Sequence, residues 1–436
     1  MTEEKQSRFN EIAQKYGDPW IWGIFLTLIV ISIVESYSAA SREVAEHGVY
    51  MPIVKQCAFL LIGAGLVLYM RRIDYNKNGF LLVMIPLLAL ATVIMLLYTM
   101  FFGDVINGAR RSFHIPHIPF SIQPSEIAKL SIVTVLSYIL AKNQKNRDVS
   151  NRGIMWCVVA VTIYGGLMIK SGFTNTAILF AVSGSMLIIG GAKWKKILIV
   201  GLFYLTLGGG YFLLKTHNES TDRSVGTTEM VTQKDAEDRT EMRVGRIEQF
   251  KKNRDSLVYM SINDRNQQEM FSRMAQAHGG IYGVGPGRSR ECSRLPLAFS
   301  DYIFSIIVEE TGLIGGLFVL ALYLWLLARA AMIVRRSKRV LPSLLIIGMA
   351  AMVTYQALCH IAINVGVVPV SGQPLPLISM GGSSIIVMSL AFGVMISVSR
   401  TIANYNNKNN KPDEAVLPDG LDAENPTQIL PKQVWK

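Results

Sequence analysis

Asp301 stands where a long polar stretch meets the apolar run Tyr302–Val308. A carboxylate at the mouth of a membrane helix is costly and tends to be functional. It is a candidate general base, able to take a hydroxyl proton as a new bond forms. Glu309 and Glu310 follow in the same run, just before Thr311 and Gly312. On helical spacing Glu309 lies two turns beyond Asp301, with Glu310 slightly further round. Neither suits a lipid-facing position, so both are expected in the bundle interior, hydrogen-bonded to a neighbouring helix.

A second group of residues suits anion binding. Gly108-Ala-Arg110-Arg111-Ser112 precedes Gln123-Pro124-Ser125-Glu126-Ile-Ala-Lys129. Pro124 fits the first turn of a helix, where its missing N–H costs nothing. Glu126 and Lys129, three residues apart, share one helix face and can pair. Such a pair inside a span either lines a cavity or sets helix packing. Arginine forks match phosphate oxygens, which makes Arg110, Arg111, Arg290 and Arg294 candidate ligands for one. Glycines alternate through Gly279–Gly287, allowing tight turns and close backbone approach. No Gly-Lys-Ser/Thr follows, so this is not a Walker A loop. Finally Asn364, Gly366, Pro369, Gly372, Pro374, Pro376, Ser379, Gly381 and Gly382 cluster between two apolar runs. Such a segment permits a broken or re-entrant turn, which survives at membrane depth only when buried or lining a cavity. His360, near Asn364, reads as a satisfied interior histidine.

The elements that must position these residues are membrane helices. Half of the 436 residues are hydrophobic and only 17% are charged, well short of the quarter or so usual in soluble proteins. Ten runs are of spanning length: Trp20–Ala40, Met51–Tyr69, Gly79–Phe101, Ile122–Ala141, Gly153–Ile169, Thr174–Ala192, Ile197–Leu214, Tyr302–Val334, Leu341–Val368 and Pro376–Ser397. The fold class is therefore an all-α polytopic membrane protein with one long loop between spans seven and eight. The eighth and ninth spans are long enough to tilt or project from the hydrocarbon. No cleavable signal peptide precedes the first span. Cys57, Cys157, Cys292 and Cys359 show neither disulfide nor metal-ligand spacing.

The net charge of +12 comes from basic residues in short loops beside apolar runs. That is a topogenic pattern, and it argues against a nucleic-acid partner. Arg71, Arg72, Lys142, Lys145, Lys193, Lys195, Lys196, Arg335, Arg336, Lys338 and Arg339 fall on one side, with both termini. The positive-inside rule makes that side cytoplasmic. Asp301 and the loop 215–300 then face outward. From Arg239 to Ser300 that loop has eleven Lys/Arg against six Asp/Glu, and Arg239–Phe250 can form an amphipathic interfacial helix. The expected organisation is a cytoplasmic segment 1–19, a transmembrane domain 20–400 and a disordered cytoplasmic tail 401–436.

Taken together, these motifs resemble the SEDS family (shape, elongation, division and sporulation). The resemblance rests on Gly-Ala-Arg-Arg with Gln-Pro-Ser-Glu-x-Ala-Lys, on Leu-Pro with Ser-Asp-Tyr-Ile-Phe and Glu-Glu-x-Gly, and on Leu-Pro-Leu-Ile-Ser-x-Gly-Gly-Ser-Ser. It runs from about Tyr16 to Arg400. The last motif looks more like the FtsW branch than the RodA branch. Many family members carry Leu-Pro-Glu-x-His-Thr-Asp where this chain has Leu295-Pro-Leu-Ala-Phe-Ser-Asp301. The second acid and the histidine are absent, and a basic position before Leu-Pro is shifted, with Arg294 or Arg290 standing in.

The resemblance implies a peptidoglycan glycosyltransferase of the inner membrane that polymerises lipid II on its outer face during division. Its essential aspartate corresponds to Asp301, its paired acid and base to Glu126 and Lys129, and a loop glutamine to Gln268. The arginines and Lys129 are expected to stabilise the pyrophosphate, and Lys129 to keep Asp301 ionised. Expected partners are a class B penicillin-binding protein and other divisome proteins. No cofactor is firmly implied, though pyrophosphate chemistry leaves room for a divalent cation. A lipid II flippase, a RodA-like elongation polymerase and a noncatalytic divisome scaffold are the alternatives.

Overall fold

The computed structural model describes residues 11–39, 51–73, 80–106, 109–114, 121–145, 148–169, 172–206, 262, 266–295 and 298–409. The helix expected at Arg239–Phe250 and most of the expected tail lie outside these. Among the described residues the helices are α1 (Pro19–Ala39), α2 (Met51–Arg72), α3 (Phe80–Phe102), α4 (Pro124–Lys142), α5 (Asn151–Ile169) and α6 (Phe173–Ile189). They continue with α7 (194–206), α8 (Gln267–Gly279), α9 (Ile303–Val334), α10 (Val340–Asn364) and α11 (Gly382–Asn409). Eight of them are long and apolar enough to cross a membrane, and α6 is a shorter apolar helix. The molecule is thus an all-helical, multi-pass membrane protein.

Burial sorts the helices into a centre and a rim. In α4 and α10, 78% of the most apolar window is buried, against 22% in α2 and α3. Polar side chains on α4 and α10 therefore have protein around them, where partners can satisfy them, while α2 and α3 offer Leu61, Leu87 and Leu90 outward.

The expected spans differ from the observed helices at several points. The fourth helix begins at Pro124, since Ser121–Ile122 forms strand β3. Strand β1 (Asp104–Ile106) pairs antiparallel with β2 (Ala109–His114), which pairs with β3. The run Ala-Arg-Arg-Ser-Phe-His thus returns along β1 as a hairpin. The tenth helix begins at Gly382, six residues after the expected start, and between the two Leu377 takes a left-handed backbone, φ 64°, that no helix continues through. The eighth span is not one continuous helix, since Gly312 sits at φ 74°, ψ −176°.

That break has a local cause. The loop after α8 inserts against the α9 backbone: Val284 and Gly285 N–H donate to the Glu309 and Glu310 carbonyls, each at 2.9 Å, and Leu313 N–H donates to Gly280 O at 2.9 Å. Contact is so close that a Cβ on Gly279 would lie 2.0 Å from Val308 O, and one on Gly312 2.2 Å from Ile281 O. Gly312→Ala is expected to lower stability by about 1–3 kcal/mol from the disfavoured backbone alone, with the clash added. Thermal unfolding in detergent at the wild-type Tm would show that the break is not needed.

At the far end of α9, Arg329 grips Asp18 with three hydrogen bonds of 2.6–3.1 Å. Asp18 also accepts from Trp20 N–H, at the start of α1, and its own N–H donates to Ser399 Oγ of α11. This ties α1, α9 and α11 together. Between α4 and α5, Lys196 and Lys193 bridge to Asp148. Burial opposes ionisation of Asp148, yet these hydrogen bonds hold its carboxyl below the usual range.

Candidate functional site

Asp301 lies in the turn that leads into α9, half-buried. The first N–H groups of any helix lack partners within it, and α9 has no side-chain cap of its own. Asn364, at the C-terminus of α10, supplies one. Its Oδ1 accepts from Ser305 N–H at 3.2 Å and Ser305 Oγ at 2.9 Å. Its Nδ2 donates to the Asp301 carbonyl at 3.0 Å and to His360 O at 2.9 Å. The Asn364 carbonyl, an orphan of the α10 terminus, accepts from Ser272 Oγ and Gln276 Nε2 of α8 at 3.0 and 2.7 Å. Asn364, through its side-chain amide and its main-chain carbonyl, thus joins the start of α9 and the end of α10 to α8.

The same turn is held from a second direction. Ser379 Oγ donates to Ser300 O at 2.7 Å, and Met380 N–H to Phe299 O at 3.0 Å. Ser300 Oγ in turn donates to Asp301 Oδ1 at 3.0 Å. Both outer contacts come from the irregular segment 365–381, where Leu377 has φ 64°. Its carbonyls are satisfied by side chains of the bundle. His360 Nδ1 meets Gln373 O, Gln356 Nε2 donates to Pro374 O at 3.2 Å, and Tyr323 OH to Pro376 O at 2.7 Å. Ser32 Oγ donates to Ile378 O at 3.3 Å. Non-helical backbone persists in the bundle interior because it is buried and paired there. Gly382 allows α11 to start close against α2, since a Cβ there would meet the Phe59 ring at 2.6 Å. At Gly381 a Cβ would meet only Ser384, at 3.6 Å.

In the centre of the bundle Lys129 Nζ lies 2.7 Å from Glu126 Oε1, with both side chains fully buried. Lys129 also donates to Gln356 Oε1. Because Gln356 holds Pro374 O, the ion pair is coupled to the segment that braces Asp301. Lys129 therefore bonds Glu126 and Gln356, and through Gln356 it is coupled to the segment that braces the Asp301 turn. Glu126 Oε2 is buried without a hydrogen-bond partner. Ser125 accepts from Asn175 of α6 at 3.2 Å, and Gln123 forms the N-cap of α4 without a side-chain bond.

Glu309 and Glu310 are interior, as expected, but they face the glycine-rich loop and α1 and not a helix alone. Glu309 accepts from Arg290 N–H at 3.0 Å and from Ser289 Oγ. Glu310 accepts from Ser38 of α1. Arg290 thus contributes its backbone here, while its side chain is exposed. Arg294 lies 3.6 Å from buried Glu291, and His278 3.5 Å from the same carboxylate. Gln268, on α8, is half-buried, and it is Gln276 on that helix that bonds Asn364. Arg110 and Arg111 sit on β2, and their side chains lie outside the described residues.

Sequence reasoning missed Gln356, Gln276 and Ser305. Gln356 left a usable signal, an amide in the middle of the apolar run Leu341–Val368, where unpaired polar groups are costly. Ser305 and Gln276 left none, because their partner is the end of another helix.

Asn364→Ala would leave the Ser305 N–H and the Asp301 carbonyl without this partner, each costing about 1–3 kcal/mol if it stays buried. Faster amide exchange confined to residues around 301–305 is the expected readout. Unchanged protection there would mean that Asn364 does not hold the turn.

Among the described residues, eight helices of membrane-spanning length and one shorter apolar helix carry a central ion pair and, at the start of α9, a braced carboxylate. They define a polytopic membrane protein with a polar site assembled from helix ends. Residues 19–404 match the family model of cell cycle proteins FtsW, RodA and SpoVE. The chain belongs to this family, the SEDS proteins. It is 27% identical over 423 residues to the probable peptidoglycan glycosyltransferase FtsW of Bacillus subtilis, covering 94% of this chain and 96% of that one. It is 26% identical to the stage V sporulation protein E of the same organism, over 86% and 95% of the two chains. Among solved structures, a chain of a peptidoglycan synthase complex superposes with a TM-score of 0.64 at 22% identity, covering 88% of this chain and 98% of that one. RodA of Thermus thermophilus gives 0.59 at 20% identity, over 89% and 97%. These two likenesses concern the fold.

Proposed function

We propose that this protein is a peptidoglycan glycosyltransferase that polymerises lipid II at the outer face of the inner membrane during cell division. The observation that carries the reading is the seat of Asp301 at the mouth of α9: its carboxylate accepts from Ser300 Oγ, and its turn is held by Asn364 and Ser379 through the main-chain carbonyls of residues 301 and 300. The names of the full-length relatives support the activity, and the Lys/Arg bias supports the orientation, with both termini cytoplasmic.

The chemistry needs one base. Lipid II is α-linked to undecaprenyl pyrophosphate and the polymer is β-linked, so a single in-line displacement with inversion suffices. The acceptor 4-hydroxyl oxygen bonds to the donor's anomeric carbon as the bond from that carbon to the pyrophosphate oxygen breaks. Asp301 takes the hydroxyl proton, and the lipid pyrophosphate leaves with the bonding electrons. Ordinary inverting glycosidases pair the base with an acid. Pyrophosphate leaves without protonation once cations neutralise it, a role for Arg110, Arg111, Arg290 and Arg294. Glu126, Lys129 and Gln356 act on Asp301 through the irregular segment. A class B penicillin-binding protein is the partner that crosslinks the product.

The test is purified full-length protein with lipid II, alone and with the cognate penicillin-binding protein, with and without a divalent cation. Glycan polymer on a gel is expected. Transbilayer movement of lipid II in vesicles without polymer would instead identify a flippase, and neither activity would leave a divisome scaffold. Depletion that yields filaments supports division, and rounded cells would assign the chain to elongation.

A further inference from the structure

A glycine-rich loop that cradles phosphate does so with free backbone N–H groups. The loop after α8 keeps its own occupied from Gly283 to Arg290. Gly283 N–H donates to Gly279 O, Val284 and Gly285 donate to the Glu309 and Glu310 carbonyls, and Arg288 donates to Gly285 O. Pro286 has no N–H to offer. The Gly287 and Ser289 N–H groups face the Glu310 carboxylate. Arg290 N–H donates to Glu309 Oε1 at 3.0 Å, and Ser289 Oγ donates to the second oxygen of the same carboxylate. Ser38 of α1 donates to Glu310 from the other side. The buried Glu309 and Glu310 side chains thus take the place that a bound anion holds in a phosphate loop.

The close backbone approach that these glycines allow is therefore to α9. Gly283, Gly285 and Gly287 make the turns, at φ 78°, 99° and 73°, and what the loop turns outward is side chains. Arg288 and Arg290 are both exposed, and neither guanidinium is engaged by another described residue. Arg294, four residues further on, already lies 3.6 Å from the buried Glu291 carboxylate. Two unengaged forks two residues apart suit an anion with two phosphate groups. Their footing is the pair of α9 acids, since the Arg290 N–H and the Ser289 side chain between the two arginines both end on Glu309.

We propose, on the reading of the site given above, that Glu309 and Glu310 are positioning residues that fold this loop so that Arg288 and Arg290 bind the pyrophosphate of the lipid-linked sugar. The acids do not touch the substrate. They act as internal anions that order the backbone beneath the two arginines, which lowers the ordering cost of binding.

Undecaprenyl pyrophosphate is the probe, because it carries the anion and the lipid but no sugar to transfer, with undecaprenol as the neutral control. Full-length protein in detergent is titrated with each, with bound lipid read by native mass spectrometry and Tm by thermal unfolding. Wild type is expected to prefer the pyrophosphate. Arg288→Gln/Arg290→Gln is expected to weaken that binding about tenfold, the worth of a charge-assisted hydrogen bond, at the wild-type Tm. Glu309→Gln leaves one of its two donors facing an amide NH2 and is expected to weaken binding by a similar factor. Added to the arginine double variant it should cost little more, because a residue that acts through others has no separate effect once they are gone. If Glu309→Gln does not fold, Ser289→Ala carries the same expectation. Wild-type affinity in Arg288→Gln/Arg290→Gln, equal binding of the two lipids, or effects that multiply in the triple variant would overturn the proposal. Polymer made without this binding would remove the loop assignment and keep the activity, whereas binding without polymer would keep the loop assignment and remove the activity.

Discussion

Asp301→Asn is expected to lower lipid II polymerisation by about 10²- to 10⁴-fold, the usual contribution of a positioned general base. The substitution is close to isosteric. An Asn side-chain oxygen can still accept from Ser300 Oγ, and the contacts of Asn364 and Ser379 go to main-chain carbonyls at 300 and 301. The turn should therefore keep its shape and the protein its Tm, while the proton acceptor is gone. Polymer made at the wild-type rate by Asp301→Asn would remove Asp301 from the chemistry. The neighbouring Leu-Ala-Phe-Ser sequence offers no second acid and no histidine to take over the role.

Lys129→Met has the second large expected effect, on folding. Glu126 and Lys129 are fully buried. Removing the cation strands a carboxylate inside the bundle, and breaking a buried pair in this way costs about 3–5 kcal/mol. Combining it with Glu126→Gln removes both charges and is expected to restore most of the stability. Tm values of the two single variants and the double variant in the same detergent measure this coupling. A Lys129→Met protein as stable as wild type would show that the ion pair does not hold the bundle together. Activity separates a second role. Lys129 also bonds Gln356, which holds the Pro374 carbonyl. The stable double variant should therefore still polymerise poorly if this contact sets the segment that braces Asp301.

Much of this architecture follows from local sequence. Nine of the ten expected spans fall on apolar helices, and the described part of the seventh, Ile197–Leu214, falls on α7, because an apolar run of spanning length in a membrane protein has few other ways to pair its backbone. The i, i+3 spacing of Glu126 and Lys129 determined their pairing, and Gly and Pro around 366–382 determined that helix would give way there. Asp301 was visible as an acid at the edge of an apolar run.

Only the tertiary structure decided how these pieces meet. Asn364 bonds residues 59 and 63 positions away, and Lys129 meets Gln356 across 227. Periodicity carries no information about such pairings, since they depend on which helix ends pack together. The break at Gly312 has the same origin: on sequence alone Ile303–Val334 is one apolar helix, and it is the glycine loop pressing on Val308–Glu310 that interrupts it. Local sequence settles which groups cannot face lipid, while packing settles which partner satisfies each one.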